Sequence, residues 1–283
     1  MTSSTGRPGH GAPLELTSTR APRVNAARRL VKRAFRDRDG RFLAEGPQAC
    51  REAAAAGPGV LLELYVTKEA ADRHAPIVAA ARAAGADVVR ASGEVLASLS
   101  GTVTPQGMVG VCATVGTTLD VLLAAAPTLV TVLAHARDPG NVGTVIRCSD
   151  AAGVGGVVMS DASGDPLNPK SVRASAGSVF HLPLVTGPRM EDLVGALRGA
   201  GLRVLAADGA GERDLDDLSD DGTLAGPTAW VFGNEAWGLP EATRVLCDDV
   251  VRVPIHGRAE SLNLATAAAV CLYASARAQR RSA

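Results

Sequence analysis

From residue 128 to the C-terminus, short hydrophobic runs alternate with helix-like segments, and this alternation restricts the possible folds more than any other feature of the chain. Strands are predicted at TLVTVLA (128–134), VGGVVMS (154–160), VFHLPLV (179–185), LRVLAA (202–207), TAWVF (228–232) and DVVRV (249–253). Helices are predicted after Asn141, over Arg189–Gly199, near Glu241–Leu246 and from Ser261 toward Ala278. Strands separated by helices pair in parallel and carry helices on both faces. The expected class is therefore α/β, with a parallel sheet in the C-terminal half.

The preceding residues repeat the alternation on a smaller scale. An extended RFLAEG (41–46) is followed by a helical PQACREAAAAG, a strand VLLELYV, a helix over Lys68–Ala84, a strand ADVVR, a helix near GEVLASLS and a closing strand MVGVCATV. GTTLDVLLAAAP (116–127) reads as a linker, which gives a small α/β unit over 19–115 and a larger one over 128–283. Residues 1–18 are rich in Gly, Ser, Thr and Pro and read as a disordered tail. With aromatics at 3% and hydrophobic residues at 46%, the cores must be built from Ala, Val and Leu.

Net charge is zero, which argues against a globally basic coat but not against a local one. From Arg20 to Arg41, nine basic residues stand against two acidic ones, and Leu30, Val31, Ala34 and Phe35 offer a short apolar stripe. A helix with one basic face is expected, with Arg23, Arg28, Arg29, Lys32, Arg33 and Arg41 as candidate contacts for a polyanion such as RNA. A solvated surface helix is the plainer explanation for most charge runs. The five cysteines are scattered, with no C-x-x-C pair and no histidine at ligand spacing, so they read as small buried hydrophobes and no metal is expected. No secretory h-region opens the chain and no run of 18 apolar residues occurs, so a soluble cytoplasmic protein is expected.

Ligands of open α/β sheets bind at the carboxyl ends of strands. Three such junctions stand out. The first is Asp138-Pro139-Gly140-Asn141-Val142-Gly143 leading to Arg147, where Asn141 can cap a helix and Gly143 permits close approach of another segment. The second, Phe232-Gly233-Asn234-Glu235 running to Gly238-Leu239, sets a carboxylate beside turn amides. The third runs from Val253-Pro254-Ile255-His256-Gly257 to Ser261-Leu262-Asn263, and Ser261 is well placed as a helix cap. Singly, each has an ordinary structural explanation as a capped or tight turn.

Their order carries more weight. P-G-N-x-G-x-x-x-R, F-G-N-E-x-x-G-L and V-P-x-x-G-x-x-x-S-L-N together resemble the three signature motifs of the SpoU–TrmH RNA 2'-O-ribose methyltransferases, of the SPOUT superfamily. F-L-A-E-G-P at Phe42–Pro47 and T-P-Q-G at Thr104–Gly107 resemble the ribosomal-protein-L30-like substrate-binding domain that precedes many members acting on ribosomal RNA, among them enzymes of ribosome-directed antibiotic resistance. The resemblance implies a C-terminal domain with a deep trefoil knot, a homodimer whose active site draws on both subunits, and S-adenosylmethionine as cofactor. It places Gly233, Val253 and Leu262 in the cofactor pocket with Ala207 and Ile255 beside them, and Asn141, Arg147, Glu235, Ser261 and Asn263 at the polar catalytic positions. The acidic loop from Asp208 to Asp221 departs from the pattern and leaves the adenine-side contact open.

The implied reaction is methylation of a ribose 2'-hydroxyl, most naturally in 23S ribosomal RNA, with transfer RNA as the alternative. An arginine stays protonated in proteins, so Arg147 is expected to pin a phosphate and stabilise a developing alkoxide rather than act as a base. The proton then leaves through a phosphate oxygen, Glu235 or water. Two other classes fit poorly. A dinucleotide-dependent dehydrogenase needs G-x-G-x-x-G straight after a strand, whereas Gly153-Val154-Gly155-Gly156 precedes its strand and Gly209-Ala210-Gly211 lacks the third glycine. A non-catalytic RNA-binding module leaves the three C-terminal motifs unexplained.

Overall fold

A computed structural model describes residues 15–234 and 236–282 of the 283-residue chain. Two sheets organise it: four strands in the order β1-β4-β2-β3, and seven in the order β7-β6-β5-β10-β8-β11-β9. The first comprises β1 (Arg41–Glu45), β2 (Leu61–Val66), β3 (Asp87–Arg90) and β4 (Met108–Ala113). β4 is antiparallel to both β1 and β2, while β2 and β3 are parallel. Successive side chains of a strand face opposite ways. In β1, Phe42 and Ala44 therefore join the large core, and Leu43 joins a smaller one with Val24, Ala27, Leu30, Tyr65 and Leu99.

The basic stretch is not one helix. It divides into Pro22–Arg28, a 3-10 turn Arg29–Val31, and Arg33–Asp39, with Lys32 extended between them. Its buried stripe is Val24, Ala27 and Leu30; of the residues expected to form it, only Leu30 is buried, and Val31 is 51% exposed. The break at Lys32 turns the last helix by enough to expose Ala34 and half-bury Phe35. The expected Lys68–Ala84 helix is likewise two, Lys68–Arg73 and Ala75–Ala83, parted at His74 ahead of Pro76. Of the segment read as a disordered tail, residues 1–14 lie outside the described residues, and Leu16 bridges Ala91.

The second sheet comprises β5 (Leu129–Leu133), β6 (Gly156–Met159), β7 (Leu184–Thr186), β8 (Arg203–Ala207), β9 (Arg213–Asp214), β10 (Thr228–Phe232) and β11 (Asp249–Arg252). Every neighbouring pair is parallel. Leu133, Trp230 and Phe232 face helices Pro139–Ala152 and Leu264–Ser282 in one core. Val132, Ala229 and Val231 face helix Met190–Gly199 in another. Burial on both faces explains why these strands read as continuous apolar runs. β10 lies between β5 and β8, so the chain runs outward from this point in both directions and leaves a crevice at the strands' carboxyl ends.

Three segments differ from the sequence reading. VFHLPLV is a strand only from Leu184; Ser178–Phe180 forms a 3-10 turn, and Phe180 stacks on Phe42 of the first unit at 5.7 Å. The segment 116–127 holds a helix, Leu119–Ala124, whose Leu122 is buried against the second sheet. Within the acidic loop, Arg213–Asp214 forms the edge strand β9 and Leu215–Asp220 a helix that buries Leu215 and Leu218. Its charges face outward and pair locally, Arg213 with Asp221 and Arg252 with Asp214, which masks the apolar signal in the sequence.

Candidate active site

All carboxyl ends of the parallel sheet lie along one edge, and the three motifs meet there. Beyond β5, the Asp138 carboxylate accepts the Asn141 amide at 2.9 Å and caps the Pro139–Ala152 helix. Asp138, not Asn141, is therefore the cap. Lys170 Nζ donates to the other oxygen of Asp138 at 2.9 Å, and this bond, with the Asn141 amide, holds the carboxyl below its ordinary range. Gly143 does permit close approach: a Cβ there would run into the Ser171 carbonyl and lie 2.7 Å from the Ala174 Cβ.

Beyond β10, the chain closes on itself. Asn234 and Gly238 exchange backbone bonds of 2.8 and 3.0 Å. The Asn234 side chain accepts from the Ala236 amide at 2.9 Å and donates to the His135 carbonyl at 3.0 Å, tying this loop to the end of β5. From the end of β8, Asp208 accepts the Leu239 amide at 3.0 Å and the Ala210 amide at 3.0 Å. A Cβ on Gly233 would lie 2.8 Å from the Leu239 nitrogen and inside the Gly238 carbonyl, so this glycine is required first by the loop itself. Glu235 lies outside the described residues.

Beyond β11, the chain returns over these ends to Asn263. Its Oδ1 accepts the Ala265 amide at 2.9 Å, so Asn263 rather than Ser261 caps the Leu264–Ser282 helix. Its Nδ2 donates to Asn141 Oδ1 at 3.0 Å and joins the first motif to the third across 122 positions.

The chain beyond β8, β10 and β11 lines a cavity of about 300 Å³, and the first junction is tied to its rim through the Asn141–Asn263 bond. Ala207, Gly233, Val253, Ile255 and Leu262 all line it, and Ser261 stands at its wall. Asn263 sits between two lining residues, Leu262 and Leu264. Arg147 does not line it. It is exposed on the Pro139–Ala152 helix, in a stripe with Thr144 and Ala151. Asp208 and Lys170 were not singled out by sequence reasoning, because an aspartate in an acidic loop and a lysine before a short helix carry no local signal. Among the described residues, no group of three or more His, Cys, Asp or Glu could hold a metal, and no helix is long and apolar enough to cross a membrane. Cys50 and Cys271 are buried, which pushes both thiols up to about 12.

The SpoU rRNA Methylase family profile matches residues 128–273. Over 266 residues the chain is 30% identical to the 23S rRNA (guanosine(2553)-2'-O)-methyltransferase RlmP of Bacillus subtilis (strain 168), covering 92% of this chain and 98% of that one. The chain belongs to the SpoU rRNA methylase family. The profile of the MRM3-like substrate binding domain matches residues 21–110. A 142-residue stretch is 42% identical to the 23S rRNA (uridine(2479)-2'-O)-methyltransferase of Streptomyces viridochromogenes, spanning 49% of each chain. The structure of the SpoU methyltransferase AviRb from that organism, in complex with AdoMet, superposes with a TM-score of 0.80 at 31% identity over 93% of this chain and 99% of that one. The AdoMet-bound rRNA methyltransferase from Sinorhizobium meliloti gives 0.79 at 31% identity, over 93% and 97%.

In this SpoU-family chain the candidate RNA contacts of the N-terminal unit are not equivalent. Arg23 donates to Glu63 at 2.9 Å and Asp87 at 2.6 Å. Arg29 pairs with Asp39 at 3.2 Å, Arg33 with Asp37 at 3.5 Å and Arg41 with Glu63 at 3.9 Å. Among the described residues, the Arg28 side chain bonds only the neutral Asn25 side chain, at 2.7 Å, and Lys32 is exposed. Arg36, from the middle of the stretch, is 3% exposed; it bonds Asp165 of the second unit and the Leu30 and Val31 carbonyls at 2.8 Å.

Proposed function

We propose that the protein transfers a methyl group from S-adenosylmethionine to a ribose 2'-hydroxyl of ribosomal RNA, with 23S rRNA as substrate, and acts in the cytoplasm as a homodimer. The observation that carries this reading is the cavity at the ends of β8, β10 and β11, which gathers all five expected cofactor positions beside the Asn141–Asn263 pair. Its chemistry suits the cofactor. Ala207, Val253, Ile255 and Leu262 offer apolar contacts for an adenine and a thioether chain, and the loop from Gly233 to Leu239 offers backbone groups for the polar edges. When bound, the cofactor supplies an electrophilic methyl group on a sulfonium.

The protein's own part is alignment and charge. Asn141, Asn263 and Ser261 are assigned to orienting the target nucleotide at the cavity mouth. Arg147, protonated throughout, is assigned to pinning the adjacent phosphate and stabilising charge on the 2'-oxygen. The proton leaves through a phosphate oxygen, Glu235 or water. Because Arg147 stands outside its own chain's cavity, the dimer reading has it serve the partner's site. Supporting this, Val270 (39% exposed) and Tyr273 (52%) open an apolar patch on the helix packed beside it, where Tyr273 Oη donates to the Ala151 carbonyl at 3.4 Å. The insertion of β10 between β5 and β8, followed by a return of the chain over their ends, supports a knotted thread. The domain limits read from the sequence are kept as working boundaries, with the segment 116–127 packed on the catalytic unit.

The test is incorporation of labelled methyl from S-adenosylmethionine into unmodified 23S rRNA, with a tRNA transcript alongside and mapping of alkali-resistant linkages. A single 2'-O-methylated ribose in rRNA is expected. Methylation of tRNA alone, or of a base, would overturn the substrate assignment. Sedimentation equilibrium at the monomer mass would remove the dimer.

A further inference from the structure

Between β6 and β7 runs a segment, residues 165–173, that touches both units at once. Its first residue, Asp165, takes the buried Arg36 guanidinium of the N-terminal unit, Nε lying 2.9 Å away. Near its end, Arg173 donates to Glu45 Oε2 at 2.7 Å. Glu45 is the glutamate of F-L-A-E-G-P, at the end of β1, and its side chain is 7% exposed. Its own unit already orients the carboxylate, through Ser100 Oγ, Thr102 Oγ1 at 2.7 Å and the Gly101 amide at 3.1 Å. Arg173 is the donor that comes from the other unit.

The same segment grips the helix that carries the catalytic candidates. Ser171 and Ala174 pack on Gly143 with no room for a side chain, so the two helices cannot move independently there. Lys170, three residues before Arg173, holds the aspartate that caps Asn141.

We propose that Glu45 and Arg173 are positioning residues for methyl transfer: their part-buried pair sets the RNA-binding unit in register with the Pro139–Ala152 helix, and so sets where a docked ribose meets the methyl donor. This rests on the reading of the protein as an RNA methyltransferase. An error of about 1 Å in such an alignment costs on the order of 100-fold in rate. A pair that only held the fold together would act otherwise, lowering stability while leaving each surviving site at full speed.

The experiment measures turnover on in vitro transcribed 23S rRNA at saturating RNA and S-adenosylmethionine, normalised to cofactor-binding sites titrated in the same sample. Glu45→Gln and Arg173→Met are expected to lose roughly 10- to 100-fold in normalised turnover, with cofactor affinity within about twofold of wild type. Arg173→Lys, which restores the charge without the planar fork, is expected to recover part of the rate and serves if Arg173→Met does not fold. The double variant Glu45→Gln/Arg173→Met should be no slower than the slower single variant, because both remove one link. Wild-type normalised turnover in the variants, whatever their melting temperature, overturns the proposal, and so does strict additivity. Failure of the wild-type protein to methylate any RNA is a different result and overturns the functional reading instead.

Discussion

Asn263 performs two tasks with two different atoms, which makes them separable. Its oxygen caps the C-terminal helix through the Ala265 amide, and its nitrogen donates to Asn141. Asn263→Asp keeps an acceptor for the cap and loses the donor, so stability should stay near wild type while turnover falls at least tenfold. Asn263→Ala loses both, and should cost about 1 kcal/mol in addition, as other cap removals do. Thermal melting beside single-turnover methylation separates the two; wild-type turnover in Asn263→Asp would show that the Asn141 bond is idle, and equal stability losses in both variants would show that the cap is. Arg147→Lys keeps the charge and loses the fork, so a large fall in turnover with near-normal cofactor affinity is expected. A variant with nearly full activity would remove Arg147 from the chemistry. The sequence showed which residue types stand at each motif. It did not choose between Ser261 and Asn263 as the cap, because both are good caps two residues apart and only the helix start decides.

At the scale of elements, the loop from Gly233 to Leu239 is the part of the cavity whose shape depends most on its neighbours. It is closed by the Asn234–Gly238 bonds, tied to β5 by the Asn234 side chain and tied to β8 by Asp208. Gly233→Val therefore cannot be a clean probe of ligand contact, since its side chain meets protein backbone before any ligand. It should lower melting temperature and cofactor affinity together. Asp208→Asn keeps an acceptor for only one of the two amides, which take different carboxylate oxygens, and should show part of the loss expected of Asp208→Ala. Asp208→Ala leaves the Leu239 and Ala210 amides without their acceptor, at about 1–3 kcal/mol, and should weaken cofactor binding about tenfold or more by calorimetry. Unchanged affinity in Asp208→Ala would mean the loop holds its shape without β8. Several strands were legible as short apolar runs, TAWVF to the residue, whereas VFHLPLV is broken by His181 and Pro183 and is a strand only from Leu184. Their order was not, since period and composition do not say that β10 inserts between β5 and β8. Nor was β9, two residues long among charged neighbours.

At the scale of the molecule, contacts between the units join residues about 130 positions apart: Arg36 with Asp165 is separated by 129 and Arg173 with Glu45 by 128. No local pattern announces such pairs, and so nothing in the basic run marked Arg36 as the residue that is buried against the second unit. His181 bridges the units too, at 2.7 Å from Asp150 and 3.3 Å from Glu52. The bond to Asp150 raises its pKa above the ordinary imidazole value, burial opposes this, and Glu52 adds to the rise. A raised folded-state value means the contribution is fully present below about pH 6.5 and is lost as pH rises through the folded value. The melting temperature of His181→Gln should accordingly fall furthest below wild type under mildly acidic conditions and converge with it at alkaline pH. A pH-independent gap would deny the charged pairing.

The heterogeneity of the basic run also sharpens how RNA is to be held. Aromatics are too few for an extended stacking platform, so phosphate contacts and RNA shape should carry recognition. Arg23 is already neutralised by Glu63 and Asp87, and Arg36 is buried; a phosphate would have to displace a carboxylate from the first and cannot reach the second. Among the described residues, Arg28 and Lys32 have no such partner: Arg28 holds only Asn25, and no carboxylate pairs with Lys32. Each phosphate contact that releases a counterion steepens the logarithmic salt dependence of binding by about 0.7–0.9. Arg28→Ala/Lys32→Ala should therefore weaken RNA binding at every salt concentration and flatten the slope by about 1.4–1.8, two contacts' worth. Arg23→Ala should leave the slope where it was and lower the melting temperature, because Glu63 and Asp87 then lose their shared cation. Cofactor affinity should hold in all of these, since the cavity lies in the other unit. RNA affinities of the three proteins across a salt series decide the matter: parallel lines of equal affinity for wild type and the double variant would make the stretch a solvated surface, and a flattened line for Arg23→Ala would mean that RNA does displace the carboxylates.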